Sequence, residues 1–124
     1  MAITFNTDKL QGLPGTTING VYGRIQSVTV KKYDATTDPS VAVRWQCLYD
    51  VVLHASAAVR NADNANWGNR LRSAEIDHFT CAYDPTSSDS PYTQSYSDLK
   101  TKLAATRDNN NNVIQPVATS IADA

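Results

Sequence analysis

The stretch "VAVRWQCLYDVVLHA", residues 41–55, decides the fold. Its odd positions are Val41, Val43, Trp45, Cys47, Tyr49, Val51, Leu53 and Ala55, all apolar. Its even positions include Arg44, Gln46, Asp50 and His54. Period two sends successive side chains to opposite faces of a strand, and no helical stripe matches it. The stretch therefore predicts a long strand of an antiparallel sheet, with its odd face packed and its even face in water.

Working outward, "VYGRIQSVTVKKY" (21–33) is rich in β-branched residues and tyrosine, which suits a second strand. Val21, Gly23 and Ile25 share one face, but Val28 and Val30 fall on the other. A one-residue slip near Gln26-Ser27 reunites them and predicts a β-bulge. "LRSAEIDHFTCAYD" (71–84) supplies a further strand with Phe79, Cys81 and Tyr83 on its apolar face and Ile76 on the other. Antiparallel pairing with Cys47 opposite Cys81 also sets Tyr49 opposite Phe79 and brings the thiols within reach of a disulfide. Residues 1–20 read as a short extended segment followed by turns at Gly12, Pro14-Gly15 and Asn19-Gly20. Asp38-Pro39 breaks the chain within 34–40. Residues 56–70 are polar and Asn-rich, a loop with a helical turn near Ala57–Arg60.

One segment has helical spacing. In "PYTQSYSDLKTKL" (91–103), Tyr92, Tyr96, Leu99 and Leu103 form one stripe. Ser90 is placed to cap it, with Pro91 at the first helical position. The helix is expected over 91–105, and a lone helix of this length must dock to persist. Its stripe predicts a lid over the face bearing Trp45, Cys47, Tyr49 and Phe79; the alternative is that the tyrosines face a neighbouring subunit. Four asparagines within 106–112 end it. The expected fold is α+β and mainly β. It is an antiparallel sheet of 4–5 strands, sandwich or barrel-like, with one C-terminal helix packed on it. A single domain spans 1–108, and 109–124 form an Asn-rich linker and an extended C-terminal arm.

Composition narrows the function. A chain of 124 residues suits one domain. Only 19% of residues are charged and the net charge is −1, so the basic footprint of a nucleic-acid binder is missing. No stretch has the apolar length to span a membrane, and the Met1 terminus lacks a secretory signal pattern, which predicts synthesis in the cytosol. Two cysteines made in a reducing compartment are not a disulfide framework. Cys47 and Cys81 fall on odd positions and His54 and His78 on even ones, so strand parity separates them and no metal site is expected. His78 and Asp77, as strand neighbours, point opposite ways. No nucleophile motif, phosphate loop or dinucleotide fingerprint occurs, and Glu75 and Asp77 mark where a strand leaves the core. The reading is a non-enzyme without a cofactor.

Recognition is expected elsewhere. Trp67, with Asn64 and Asn66, sits in a polar loop where an indole can stack on a sugar or anchor a partner; the alternative is that Trp67 folds back to plug the end of the barrel or sandwich. The chain ends are apolar and extended: Ile3 and Phe5 in "AITF", and Val113, Ile114, Val117 and Ile121 in "VIQPVATSIA". Such ends can add a strand to a neighbour's sheet edge, the alternative being that they are frayed ends.

Several stretches together resemble small virion proteins encoded by tailed bacteriophages. "VYGRIQSVTVKK" is similar to their opening strand. "FTCAYD" followed by "PYTQSYSDLKTKL" is similar to their strand, loop and Pro-initiated helix, with the Tyr-x-x-Leu-Lys core carried by Tyr96, Leu99 and Lys100. The resemblance covers roughly residues 1–105, and the chain departs from it at Arg107-Asp108 and the asparagines. It implies a structural part of a virion, in the tail, baseplate or neck. Its partners would be other virion proteins and further copies of the chain in a symmetric assembly. It implies no cofactor or catalytic residue. A capsid decoration protein is the closest alternative, and a carbohydrate- or receptor-binding module using Trp67 on a host glycan is the alternative of another class.

Overall fold

The computed structural model describes residues 1–33, 44–62, 70–105 and 116–124. In chain order the elements are β1 (Ile3–Thr7), β2 (Ile18–Tyr33), β3 (Arg44–His54), α1 (Ala57–Ala62), β4 (Arg70–Leu71), β5 (His78–Tyr83), α2 (Pro91–Leu103) and β6 (Thr119–Asp123). The strands form one open antiparallel sheet in the order β4-β3-β2-β1-β6, with β5 also paired to β3. The fold is thus mainly β, an α+β arrangement with α2 laid on the sheet.

The alternating stretch fixes the register. β2 and β3 pair from Tyr22↔His54 to Tyr33↔Arg44, and the register slips once, between Ile25 and Ser27. This is the bulge that the face change in β2 predicted. β5 pairs with β3 at Cys47↔Cys81 and Tyr49↔Phe79. The Tyr49 and Phe79 rings stand 5.7 Å apart at a 39° tilt, a geometry that favours aromatic pairs beyond their buried area. Both cysteines are free thiols.

α2 covers the odd face. Ser90 caps it, its side chain accepting from the Thr93 N–H at 3.2 Å, and Pro91 begins the first turn. Gln94 ties down the preceding loop: its Nε2 donates to the Asp84 and Asp89 carbonyls, and its Oε1 accepts from the Asp84 N–H. Tyr96, Leu99 and Leu103 are buried against Ile3, Phe5, Val21, Ile25, Tyr49, Val51 and Leu53. Gly23 lies where a Cβ would come within 3.0 Å of the Phe5 ring, so the absent side chain lets β1 and β2 pack closely. A hydrophilic clasp closes the rim: the Tyr49 hydroxyl donates to Asp98 at 2.7 Å, Asp98 pairs with Lys102, and the Lys102 ammonium lies 5.9 Å from the centre of the Phe79 ring.

Four expectations are corrected. The strand expected over 71–84 is split into β4 and β5. Between them Ile76 leaves the ladder and is buried in the core, while the Arg72 carbonyl accepts from the Gln11 N–H at 2.7 Å. The helix ends at Leu103 rather than residue 105. The even face of β3 is wet only in part. Arg44 and Asp50 are exposed, but Val52 and His54 are buried, with His54 flanked across the sheet by Tyr22 and Arg70. The C-terminal arm is not free either: β6 pairs with β1 of its own chain. The Thr7 hydroxyl donates to the Val117 carbonyl at 2.7 Å, and the Ala118 N–H donates to the Leu103 carbonyl at 3.1 Å. Turning the tail back onto β1 covers Ile3 and Phe5, whose side chains would otherwise stay at an open edge.

Candidate functional site

The site grows from the mismatch between a long β2 and a short β1. β1 pairs with β2 from Thr7↔Ile18 to Ile3↔Gly23. The same register would next set Met1 against Ile25. There the strands part, and the Tyr96 hydroxyl fills the gap. It accepts from the Ile25 N–H at 2.7 Å and donates to the Met1 carbonyl at 2.6 Å. One helix turn away, Tyr92 donates to the carbonyl of the bulged Gln26 at 3.3 Å. Burial raises the pKa of Tyr96, so the hydroxyl keeps the proton it donates.

Past this point β2 continues as the outer strand of a three-stranded ribbon with β3 and β5 and, among the described residues, has no partner on its β1 side. Which groups face outward follows from one hydrogen bond. The Val51 N–H donates to the Asp77 carbonyl at 2.7 Å, so Val51 turns its backbone toward β5. Alternation then turns Asp50, Leu48 and Gln46 toward β2, where they meet Ser27, Thr29 and Lys31. Val28, Val30 and Lys32 therefore present their N–H and C=O groups outward.

The other edges are blunted. By the same alternation the Thr80 carbonyl faces away from β3, and the Lys102 ammonium donates to it at 2.8 Å. β6 has five residues, with Ser120 at φ +52° interrupting its extended run and Asp123 paired to Lys100 at 3.1 Å. Short, bulged or charge-capped edges resist pairing with other chains.

The ribbon carries its own signature. Val30 and Trp45 are exposed, the latter flanked across the strands by Lys32 and Tyr83. The lid thus stops short of Trp45, and Tyr92 is itself 45% exposed at its margin. Lys31, Lys32 and Arg44 are exposed. Among the described ribbon residues the one carboxylate is Asp50, which accepts from the Ser27 hydroxyl at 2.8 Å. At the ribbon's base lies a cleft of about 570 Å³ lined by Tyr22, Arg24, Arg60, Asn61, Tyr92 and Tyr96 among others, with no acidic residue in its lining. A second, open groove of about 770 Å³ runs between the 8–15 loop and the 70–77 excursion, with Asp8, Asp50, Glu75 and Asp77 beside Lys9, Arg70 and Arg72 in its lining.

Among the described residues no three His, Cys, Asp or Glu side chains lie where they could hold a metal ion. Cys81 faces Cys47, and its thiol is pushed up to about 11, by burial first and by the Asp98 charge second. His78 and Asp77 do not diverge as strand neighbours would: His78 Nδ1 and Asp77 Oδ2 are 3.1 Å apart on the surface, because Asp77 precedes the first residue of β5.

The residues expected to recognise partners fare unequally. Trp67, Asn64, Asn66, Val113 and Ile114 lie outside the described residues. Ile3 and Phe5 are not surface anchors. They are 0% and 1% exposed, in a strand held between β2 and β6. Val117 and Ile121 pack half-buried against the same core. The open β2 edge was missed. Its signals were the predicted bulge and a β2 pattern far longer than any apolar pattern at the N-terminus. No family model, curated protein or solved structure matches the chain.

Proposed function

We propose that the chain is a non-enzymatic structural component of a tailed-phage virion, working by protein–protein contact in the tail, baseplate or neck. The observation that carries the contact reading is the β2 edge beyond Ile25, which has no strand partner among the described residues, with the exposed pair Val30 and Trp45 beside it. Exposed apolar side chains beside an open edge suit a surface that is covered in an assembly. The stretches "VYGRIQSVTVKK" and "PYTQSYSDLKTKL" support the virion setting. Peptide mass spectrometry of purified particles tests it. The chain is expected in fixed stoichiometry, with Lys31 or Lys32 cross-linked to a neighbouring particle protein. Particles that lack the chain would overturn the reading.

A further inference from the structure

We propose that the outward edge of β2, from Val28 to Lys32, docks an acidic, extended segment of a neighbouring protein that adds to the sheet as a further strand. The proposal rests on the contact reading above and names the partner's chemistry. The edge offers backbone donors and acceptors at Val28, Val30 and Lys32, the repeat that an incoming strand needs. Of the described edges it alone is long and uncapped: Lys102 holds the β5 edge, and Ser120 with the Lys100–Asp123 pair interrupts β6.

Charge selects the occupant. Lys31 and Lys32 point to opposite faces of the ribbon, so an added strand meets a cation on either side. Arg44 lies one strand further in, and Arg24 and Arg60 line the cleft at the ribbon's base. The nearest carboxylate on the described ribbon, Asp50, is on β3 and already accepts from Ser27. A second copy of the same edge would bring two lysine-bearing strands together, which like-charge repulsion opposes. An acidic strand gains both the ladder and the complementary field. The lysines that discourage indiscriminate edge pairing then act as the selective element.

A fluorescein-labelled peptide alternating glutamate and valine, and the same peptide with lysine for glutamate, serve as probes of the full chain by anisotropy. The acidic peptide is expected to bind at least about tenfold tighter, with affinity falling as salt rises. Val30→Pro removes an outward N–H without breaking a bond to β3, the position in a sheet where proline is tolerated. It is expected to abolish binding while leaving the circular dichroism and urea midpoint of the chain in place. Lys31→Glu with Lys32→Glu changes only exposed side chains, and is expected to reverse the preference between the two peptides. Equal binding of both peptides, or acidic-peptide binding unaffected by the double lysine change, would overturn the proposal. So would concentration-dependent self-association lost in Val30→Pro, since the occupant would then be a second copy. A chain found in particles but blind to the acidic peptide would refute the docking proposal and leave the virion reading standing. A chain that binds the peptide but is absent from particles would do the reverse.

Discussion

At the scale of single residues, Tyr96 carries an unusual share of the design. Its hydroxyl replaces a missing step of the β1–β2 ladder, joining the Ile25 N–H to the Met1 carbonyl. Tyr96→Phe leaves the Ile25 donor unpaired in a buried setting, and buried polar groups without partners cost about 1–3 kcal/mol. Urea unfolding of this variant is expected to show a loss in that range. Tyr92→Phe loses a longer bond at a 45% exposed side chain, where water can take the place of the hydroxyl, and is expected to lose about 0.5 kcal/mol or less. Equal losses for the two would mean that Tyr96 is not bridging the strands. The sequence revealed both tyrosines as one helical stripe and revealed the bulge near Gln26 as a change of face. It did not reveal that the stripe serves the bulge, because that link depends on where β1 begins to pair with β2, and "MAITF" does not mark that point. His54 shows the same limit. Parity placed it on the even face, but only the flanking of Tyr22 and Arg70 decides that this part of the face is dry.

At the scale of elements, strong local signals proved reliable and weak ones did not. The β2–β3 pairing follows from period two. The pairing of Cys47 with Cys81 follows from matching two apolar faces, and the start of α2 follows from Ser90-Pro91. β4 and β5 read as one strand because the alternation of "LRSAEIDHFTCAYD" has no punctuation at the point where Ile76 turns into the core. β6 was legible only as an apolar, extended tail. Five residues without alternation cannot name their partner, and the choice between a neighbour's sheet and their own was settled by the uncovered side of β1. That choice has a measurable consequence. Deleting residues 116–124 removes the β6 ladder, the buried Ala118, and the bonds from Thr7 to Val117, Ala118 to Leu103 and Ala124 to Ala2. At ~1 kcal/mol for each net hydrogen bond, plus renewed exposure at the β1 edge, the expected loss is about 3 kcal/mol or more. An unchanged urea midpoint in the truncated chain would mean that the tail is an arm with no part in the fold.

At the scale of the whole molecule, the core beneath α2 ties stability to pH at the alkaline end. Two phenols and a thiol are held protonated there. Burial, reinforced by the bond to Asp98, raises the Tyr49 pKa; burial raises that of Tyr96; burial and the Asp98 charge push Cys81 from 9.0 to about 11. In the unfolded chain a thiol ionises near 9.0 and a phenol near 10.0. Each native pKa is therefore raised above its unfolded value. The stability tied to these groups is complete below pH 9, and it is lost as the unfolded chain releases protons that the native chain retains. Each group that stays protonated lowers stability by ~1.4 kcal/mol per pH unit above its unfolded pKa, and the half-exposed Cys81 by less because solvent screens it. Urea midpoints are expected to be level from pH 7 to 9, to fall from pH 9 as the thiol titrates, and to fall more steeply beyond pH 10 as the phenols join. Tyr49→Phe removes one titrating group and is expected to make the limb beyond pH 10 shallower, even though it starts from a lower stability for want of the Asp98 bond. A midpoint that holds level through pH 10.5 would show that these groups titrate alike in the folded and unfolded chains. It would remove the burial of Tyr49 of β3 and Tyr96 of α2 between helix and sheet as an energetic link between the two.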